Sequence, residues 1–332
     1  MATQKAFVIN APKQADMVIN RPIPALRDDY ILVKTVCVAL NPTDWKHLDY
    51  LAPPGVLMGC DYAGTVQEVG KKVKKAFRKG DRSLGDSGTD TVVAVGPDVK
   101  RLKIGDQVFR FFFHNEKEKG QQIYVTAPEH LFGKVPAGTP LPAAATLPTN
   151  FSTAFFTLFD KLRIELPWPR PESFTPKDKD RPILIWGAAS SVGQFAVQIL
   201  KHWGYENVIA TASPKHHERI KAYGAAHVFD YRDSNVITSI LDLLRSQGYS
   251  QDIRVFDCVD SKFGSLLPIS KIATQPGSVV AAVLPVVIRS LAEKDGLQLS
   301  TDVSSEAPWA SGFEVHPMFL CRLSVVDNVD SD

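Results

Sequence analysis

The chain has 332 residues, 44% hydrophobic and 22% charged, which is enough apolar material for two domains with cores of their own and suits a cytoplasmic enzyme. A net charge of +2 favours no class of partner, and the densest basic stretch, Lys71 to Arg82, holds only Phe77 among its cations, so it reads as a solvated turn and not as a nucleic-acid surface. No signal-peptide core follows the first methionine, and the longest apolar run, Ser278 to Ile288, is broken by Pro285 and too short for a bilayer, so neither secretion nor a membrane partner is expected.

In chain order, Ala6–Ile9, Tyr30–Leu40, Gly64–Val69, Thr91–Val95, Gln107–Phe113 and Gln122–Thr126 read as short strands between turn residues, a β-barrel-like pattern. Pro142 to Phe159 reads as helix. Glu165–Pro182, loaded with proline and charge, reads as an exposed loop. From Ile183 to Ile288 strand and helix patterns alternate, which predicts an α/β fold with a doubly wound parallel sheet. The cysteines Cys37, Cys60, Cys258 and Cys321 lie far apart without a Cys-x-x-Cys, and read as buried thiols. The histidines show no ligand spacing, and the adjacent His216 and His217 chelate poorly, so no metal site is expected.

The stretch Ile183-Leu-Ile-Trp-Gly-Ala-Ala-Ser-Ser-Val-Gly193 is the most telling. An apolar strand ends at Trp186, Gly187 permits a tight turn, and Gly193 opens a helix close to the sheet. That order is a dinucleotide-binding turn, in which helix N-terminal amides face a pyrophosphate. Gly187, Ala188, Ser190, Ser191, Val192 and Gly193 are the candidate cradle residues, with Ser190 where a middle glycine is usual. About 20 residues further on, an NAD enzyme places a carboxylate on the ribose. Ser213 stands there, with Lys215 and His216 beside it, which suits a 2′-phosphate and points to NADPH. Tyr231, after the third strand, is placed to cover the adenine or touch that phosphate. A solvated turn with Ser213 as a helix cap is the competing reading.

Several further motifs carry a family resemblance: Ala39-Leu-Asn-Pro-Thr-Asp-Trp-Lys46, Gly59-Cys-Asp-Tyr-Ala-Gly64, Leu147-Pro-Thr-Asn-Phe-Ser-Thr-Ala154 and Phe229-Asp-Tyr231. With the Gly187 turn, they resemble the medium-chain dehydrogenase/reductase superfamily, in particular its zinc-free enoyl- and quinone-reductase branch and the fungal trans-acting enoyl reductases. The resemblance implies a GroES-like N-terminal domain over residues 1–150, a linker helix and loop over 151–182, a Rossmann domain over 183–290 and an atypical, truncated tail over 291–332. It implies that Asn-Pro-Thr-Asp and Cys-Asp-Tyr stand where zinc alcohol dehydrogenases keep a cysteine and a His-Glu pair. It also implies NADPH-dependent, zinc-independent hydride transfer to the β-carbon of an α,β-unsaturated carbonyl. An alkenal, a quinone or a small or carrier-bound enoyl chain would be the substrate, with a donor stabilising the enolate oxygen. Lys46 and Thr153 match positions near the nicotinamide in relatives, the Lys46 ammonium there to polarise the carbonyl or to anchor the cofactor ribose. Tyr62 is a candidate proton donor, solvent being the alternative, and Asn41 and Asp44 shape a turn. Whether the protein is a monomer or a homodimer is left open.

Two features depart from the family. Thr65–Lys74 with Gly80-Asp81 returns as Thr91–Lys100 with Gly105-Asp106, and the second copy, leading into Phe109, is favoured as the one built into the barrel. Beyond Pro317 the family pattern stops, and Ser324–Asp332 is a polar, acidic end. These features leave two alternatives: a cofactor-binding but catalytically impaired paralogue, or an incomplete gene product without activity.

Overall fold

The computed structural model describes residues 2–28, 30–69, 82–83, 90–91, 102, 106–111, 118–128, 131–249, 252–290, 293 and 296–318. They form two units, the first built from the chain up to Thr149 and the second from Asn150 onward.

The first unit opens with an antiparallel hairpin of β1 (Thr3–Ala11) and β2 (Gln14–Pro22), turned at Lys13 with a left-handed φ of 66°. β3 (Tyr30–Ala39) leads through the short helix α1 (Pro42–Lys46) to β4 (Asp61–Val69). A small pair, β5 (Arg82–Ser83) and β6 (Asp90–Thr91), stands apart from the main sheet. β7 (Gln107–Phe111), β8 (Tyr124–Pro128) and β9 (Gly133–Lys134) complete an antiparallel sheet in the order β8-β3-β4-β7-β9. Its inward face follows the period-2 alternation of strands. Ile31 and Val33, Tyr62 and Val66, Val108 and Val125 join Phe132 in one core. α2 (Leu141–Ala145) lays Ala145 against Ala39 and Ala63, and α3 (Pro148–Phe156) follows.

The duplicated segment resolves in part. The strand of the first copy, Thr65–Val69, is the end of β4, paired with β3 along its length and with β7 at Thr65, so the first copy supplies a strand of this sheet. It continues directly from the Gly59–Gly64 motif, so no intervening chain has to be closed before it pairs. Of the second copy, Asp106 accepts a bond from the Val66 amide at 2.9 Å and leads into β7. The rest of that copy, except Thr91, lies outside the described residues, as does the Ser324–Asp332 end.

In the second unit, β10 (Ile183–Trp186), α4 (Ser191–Trp203), β11 (Val208–Thr211), α5 (His217–Tyr223) and β12 (His227–Phe229) alternate. α6 (Val236–Ser246), β13 (Arg254–Asp257), α7 (Leu267–Ile272) and β14 (Val279–Val283) continue the pattern. β15 (Val286–Arg289) and β16 (Gln298–Ser300) form a separate antiparallel pair. β17 (Glu314–Met318), from the segment read as tail, adds a sixth strand beside β14. The sheet is parallel throughout, in the order β12-β11-β10-β13-β14-β17. Every residue of β10 and β11 is buried, as strands covered by helices on both faces require. One face packs on α4 and α5 through Ala196, Leu200 and Ile220, the other on α6 and α7 through Ile240 and Ile269. The fold class expected from the sequence, a doubly wound sheet with a GroES-like N-terminal domain, is the one observed. Among the described residues no helix is long and apolar enough to cross a membrane.

Candidate functional site

The strand order reverses between β10 and β13, the switch point at which open α/β sheets bind ligands beyond the carboxyl ends of their strands. The turn after β10 lies there. Gly187 has a φ of +83°, and a Cβ on it would meet Val259 Cγ2 at 2.4 Å. A Cβ on Gly193 would stand 2.6 Å from the Gly187 carbonyl oxygen and 2.7 Å from Ala188 Cα, so the helix starts this close only because position 193 has no side chain. Ser190 is the N-cap of α4, and its hydroxyl accepts from the Gly193 amide at 3.0 Å. The serine that stood out as a missing glycine is therefore a helix cap. Gly187 N donates to Thr211 Oγ1 at 3.0 Å and Ala188 N to the Thr211 carbonyl at 2.9 Å, which pins the turn to β11. First-turn amides have no acceptor within their own helix, so those of Ser191 and Val192 are open to one from outside it. A dinucleotide pyrophosphate fits this cradle.

The loop after β13 closes the other side. Asp257 is fully buried, its Oδ1 accepting from Val259 N at 2.9 Å and its Oδ2 from Ser265 Oγ at 2.7 Å. Burial outweighs these bonds and raises its carboxyl to about 7. Burial also pushes the Cys258 thiol, beside Ser190, well above its ordinary value, an inert thiol as expected.

At the end of β11, Ser213 precedes the turn Pro214–His216 and makes no side-chain cap bond, so the competing helix-cap role is not taken. Lys215 is exposed and His216 half-buried. Arg219, not singled out from the sequence, brings Nη2 within 3.2 Å of His216 Nδ1. Burial, followed by the charges of Arg219 and Lys215, holds His216 below the usual imidazole range. Tyr231 is exposed beyond β12, with the Arg232 guanidinium 5.5 Å from its ring centre.

In the first unit, Asn41 caps α1 and forms a capping box with Asp44, whose Oδ2 accepts from the Asn41 amide at 2.7 Å. Lys46 ends α1, is 3% exposed, and lies 5.8 Å from the Trp45 ring centre. Asp61, absent from the sequence-derived candidates, is wholly buried. Its Oδ2 accepts from Asn41 Nδ2 at 2.9 Å, and its Oδ1 from Thr149 N at 3.1 Å and Thr149 Oγ1 at 2.7 Å. Burial raises its carboxyl to about 7 against the pull of these donors, and also raises Asp44 and, strongly, the Cys60 thiol. Thr153, in α3 of the second unit, is buried, and its carbonyl accepts from Thr157 Oγ1 at 2.6 Å.

Tyr62 lies in the core of the sheet. It is 0% exposed, in edge-to-face contact with Phe132 at 6.2 Å, and burial drives its phenol well above the ordinary tyrosine value. Packing accounts for its ring, so the proposed reaction takes its proton from solvent. Near Cys60, both Asp61 oxygens are engaged by amides and a hydroxyl. Among the described residues no group of three or more His, Cys, Asp or Glu is placed to hold a metal.

Two families match the chain: the alcohol dehydrogenase GroES-like domain over residues 27–88 and the zinc-binding dehydrogenase family over residues 191–267. The trans-enoyl reductase TOXD of Cochliobolus carbonum is 42% identical over 70% of this chain and 69% of its own length. The trans-enoyl reductase resD of Aspergillus sclerotiorum is 34% identical over 74% of this chain, which spans 64% of that relative's length. Among solved structures, the quinone oxidoreductase of Coxiella burnetii superposes with a TM-score of 0.62 at 19% identity, covering 97% of this chain and 86% of its own. The CurK enoyl reductase superposes with a TM-score of 0.65 at 17% identity, covering 95% of this chain and 81% of its own.

Proposed function

Because the chain belongs to the medium-chain dehydrogenase/reductase superfamily, in its enoyl/quinone reductase branch, we propose that it is an NADPH-dependent reductase of carbon–carbon double bonds conjugated to a carbonyl. Bound NADPH supplies a hydride for the β-carbon of the substrate. Ser191 and Val192 amides, with Gly187, Ala188, Ser190 and Gly193 shaping the turn, hold the pyrophosphate. Ser213, Lys215 and His216 take the 2′-phosphate, and Tyr231 covers the adenine. Lys46 donates to the carbonyl oxygen as negative charge gathers there, and Thr153 is the second donor. A buried ammonium acts in a low-dielectric setting, where such a bond is worth more than in water. The α-carbon proton comes from solvent, and no step requires a metal ion. An alkenal, a quinone and a free or carrier-bound enoyl chain all suit this chemistry.

The observation that carries the NADPH reading is the cationic end of β11. The cations Lys215 and Arg219 cluster with the His216 ring next to Ser213, where an NAD enzyme keeps a carboxylate. Titration of the protein with NADPH and NADH by nicotinamide fluorescence, followed by turnover with enones and quinones, tests it. Tighter NADPH binding and consumption of NADPH on addition of an enone or quinone are expected. Tighter NADH binding would sink the assignment of the phosphate residues, and binding without turnover of any acceptor would sink the reductase.

A further inference from the structure

Asp61 is a carboxylate with no assigned work and a costly position. It is wholly buried at the first residue of β4, and among the described residues its hydrogen-bond donors are neutral: the Asn41 carboxamide, the Thr149 amide and the Thr149 hydroxyl. A second buried carboxylate, Asp44, disfavours its charge further. Burying a carboxylate without a cation costs several kcal/mol, which an apolar or amide side chain of the same size would avoid. Stability alone does not account for it.

Its geometry does. The Asn41 side chain works at both ends: its oxygen completes the capping box with the Asp44 amide, and one of its N–H groups donates to Asp61. α1 runs on directly into a five-residue π-helical segment, His47–Leu51, and ten residues are still too few to hold a helix by their own hydrogen bonds, so its direction is set by what its ends are tied to. Lys46 is the last residue of α1. The second Asp61 oxygen is fastened to Thr149, so the carboxylate spans two segments 20 and 88 residues away. We infer that Asp61 is a positioning residue: its carboxylate pins the Asn41 cap and thereby fixes where the Lys46 ammonium sits. This rests on the reading of Lys46 as the donor to the substrate carbonyl.

The test uses polarity. Asp61→Asn turns one acceptor into a donor facing the donating Asn41 amide, with no change of volume. Exchanging the pair (Asp61→Asn with Asn41→Asp) restores one donor and one acceptor and leaves an oxygen at position 41 to cap α1. In Asp61→Asn, kcat should fall on the order of ten- to a hundred-fold with the KM for NADPH nearly unchanged, as a misplaced catalytic group does. The exchanged pair should recover most of the loss. Lys46 labelling by acetic anhydride, read by mass spectrometry, should be slow in the wild type, several-fold faster in Asp61→Asn, and slow again in the exchanged pair. Thr149→Val, which removes one hydroxyl donor and keeps the fold, should shift kcat and labelling in the same direction by less. Wild-type kcat and labelling in Asp61→Asn overturn the inference. So does an exchanged pair that regains its melting temperature without its kcat or its protection of Lys46. Should Asp61→Asn not fold, unchanged kcat and labelling in Thr149→Val overturn it. A wild-type protein that reduces no enone or quinone overturns the reductase reading, and the labelling series still decides the positioning of Lys46.

Discussion

The turn at residues 187–193 and the turn at residues 41–46 are both short connections after a strand, yet they are held in opposite ways. The first is shaped from within: Ser190 caps Gly193, its amide bonds the Gly187 carbonyl, and the bare Gly193 lets the helix close on Ala188. The second depends on distant chain, because Asn41 is pinned by Asp61 and Asp61 by Thr149. Apart from the two Thr211 bonds that tie it to β11, the first turn depends on its own seven residues. The distant construction can be broken far from the residue it serves.

Substitutions can break that contrast, beginning with the largest expected effect. Lys46→Met should lower kcat with enones on the order of 10²- to 10³-fold, the scale of a lost oxyanion donor, with NADPH affinity retained. Equal losses of kcat and affinity would show that the two turns are not separable in function. Gly193→Val should cost about 1–3 kcal/mol of overpacking against backbone atoms that cannot retreat, weakening NADPH binding on the order of ten- to a hundred-fold in a fluorescence titration. Unchanged binding would mean that the close approach is not what makes the cradle. Lys215→Glu should weaken NADPH by about 1–3 kcal/mol and leave NADH untouched, a charge-assisted contact turned repulsive.

The Asp257 carboxyl gives a pH prediction with a definite sign. It holds its proton to about pH 7 in the fold, whereas an unfolded aspartate loses it near 3.8. Below 3.8 both states are protonated and the group is neutral to stability. From there to about 7 the unfolded state alone ionises, so stability falls as pH rises, by up to about 1.4 kcal/mol per pH unit. Asp257→Asn keeps the acceptor for the Val259 amide and should flatten that slope in urea melts between pH 4 and 7. An unaltered slope would mean that other groups set it. The smallest effect is expected for Ser190→Ala, about 1 kcal/mol from the lost cap, and for Ser190→Gly only a few tenths. Thermal melts that rank the two the other way would return Ser190 to the status of a displaced glycine.

The same contrast explains what the sequence disclosed. The cradle was legible because a fully buried strand, a positive-φ glycine and a tightly packed glycine leave local signatures. The barrel strands were legible from alternation, and alternation also places Tyr62 in the core. Val66 faces the core, so Tyr62, four residues earlier on the same strand, faces it too. β17 escaped notice because Glu-Val-His-Pro-Met contains a proline, which an edge strand tolerates and a central one does not. β2 escaped because it buries little and pairs only with β1. Ser190 was visible but read as a departure from a glycine pattern instead of as a cap. Asp61 had no local signal at all, since its role is a set of hydrogen bonds to residues 41 and 149 that no spacing rule connects.

The central claim is a hydride from NADPH delivered to the β-carbon of a conjugated double bond. NADPH carrying deuterium at both nicotinamide C4 positions, supplied with an enone and the purified chain, tests it most directly. The account predicts one deuterium on the β-carbon of a saturated ketone, read by NMR. Deuterium on the carbonyl carbon of an allylic alcohol, or consumption of the enone without deuterium transfer, would contradict it.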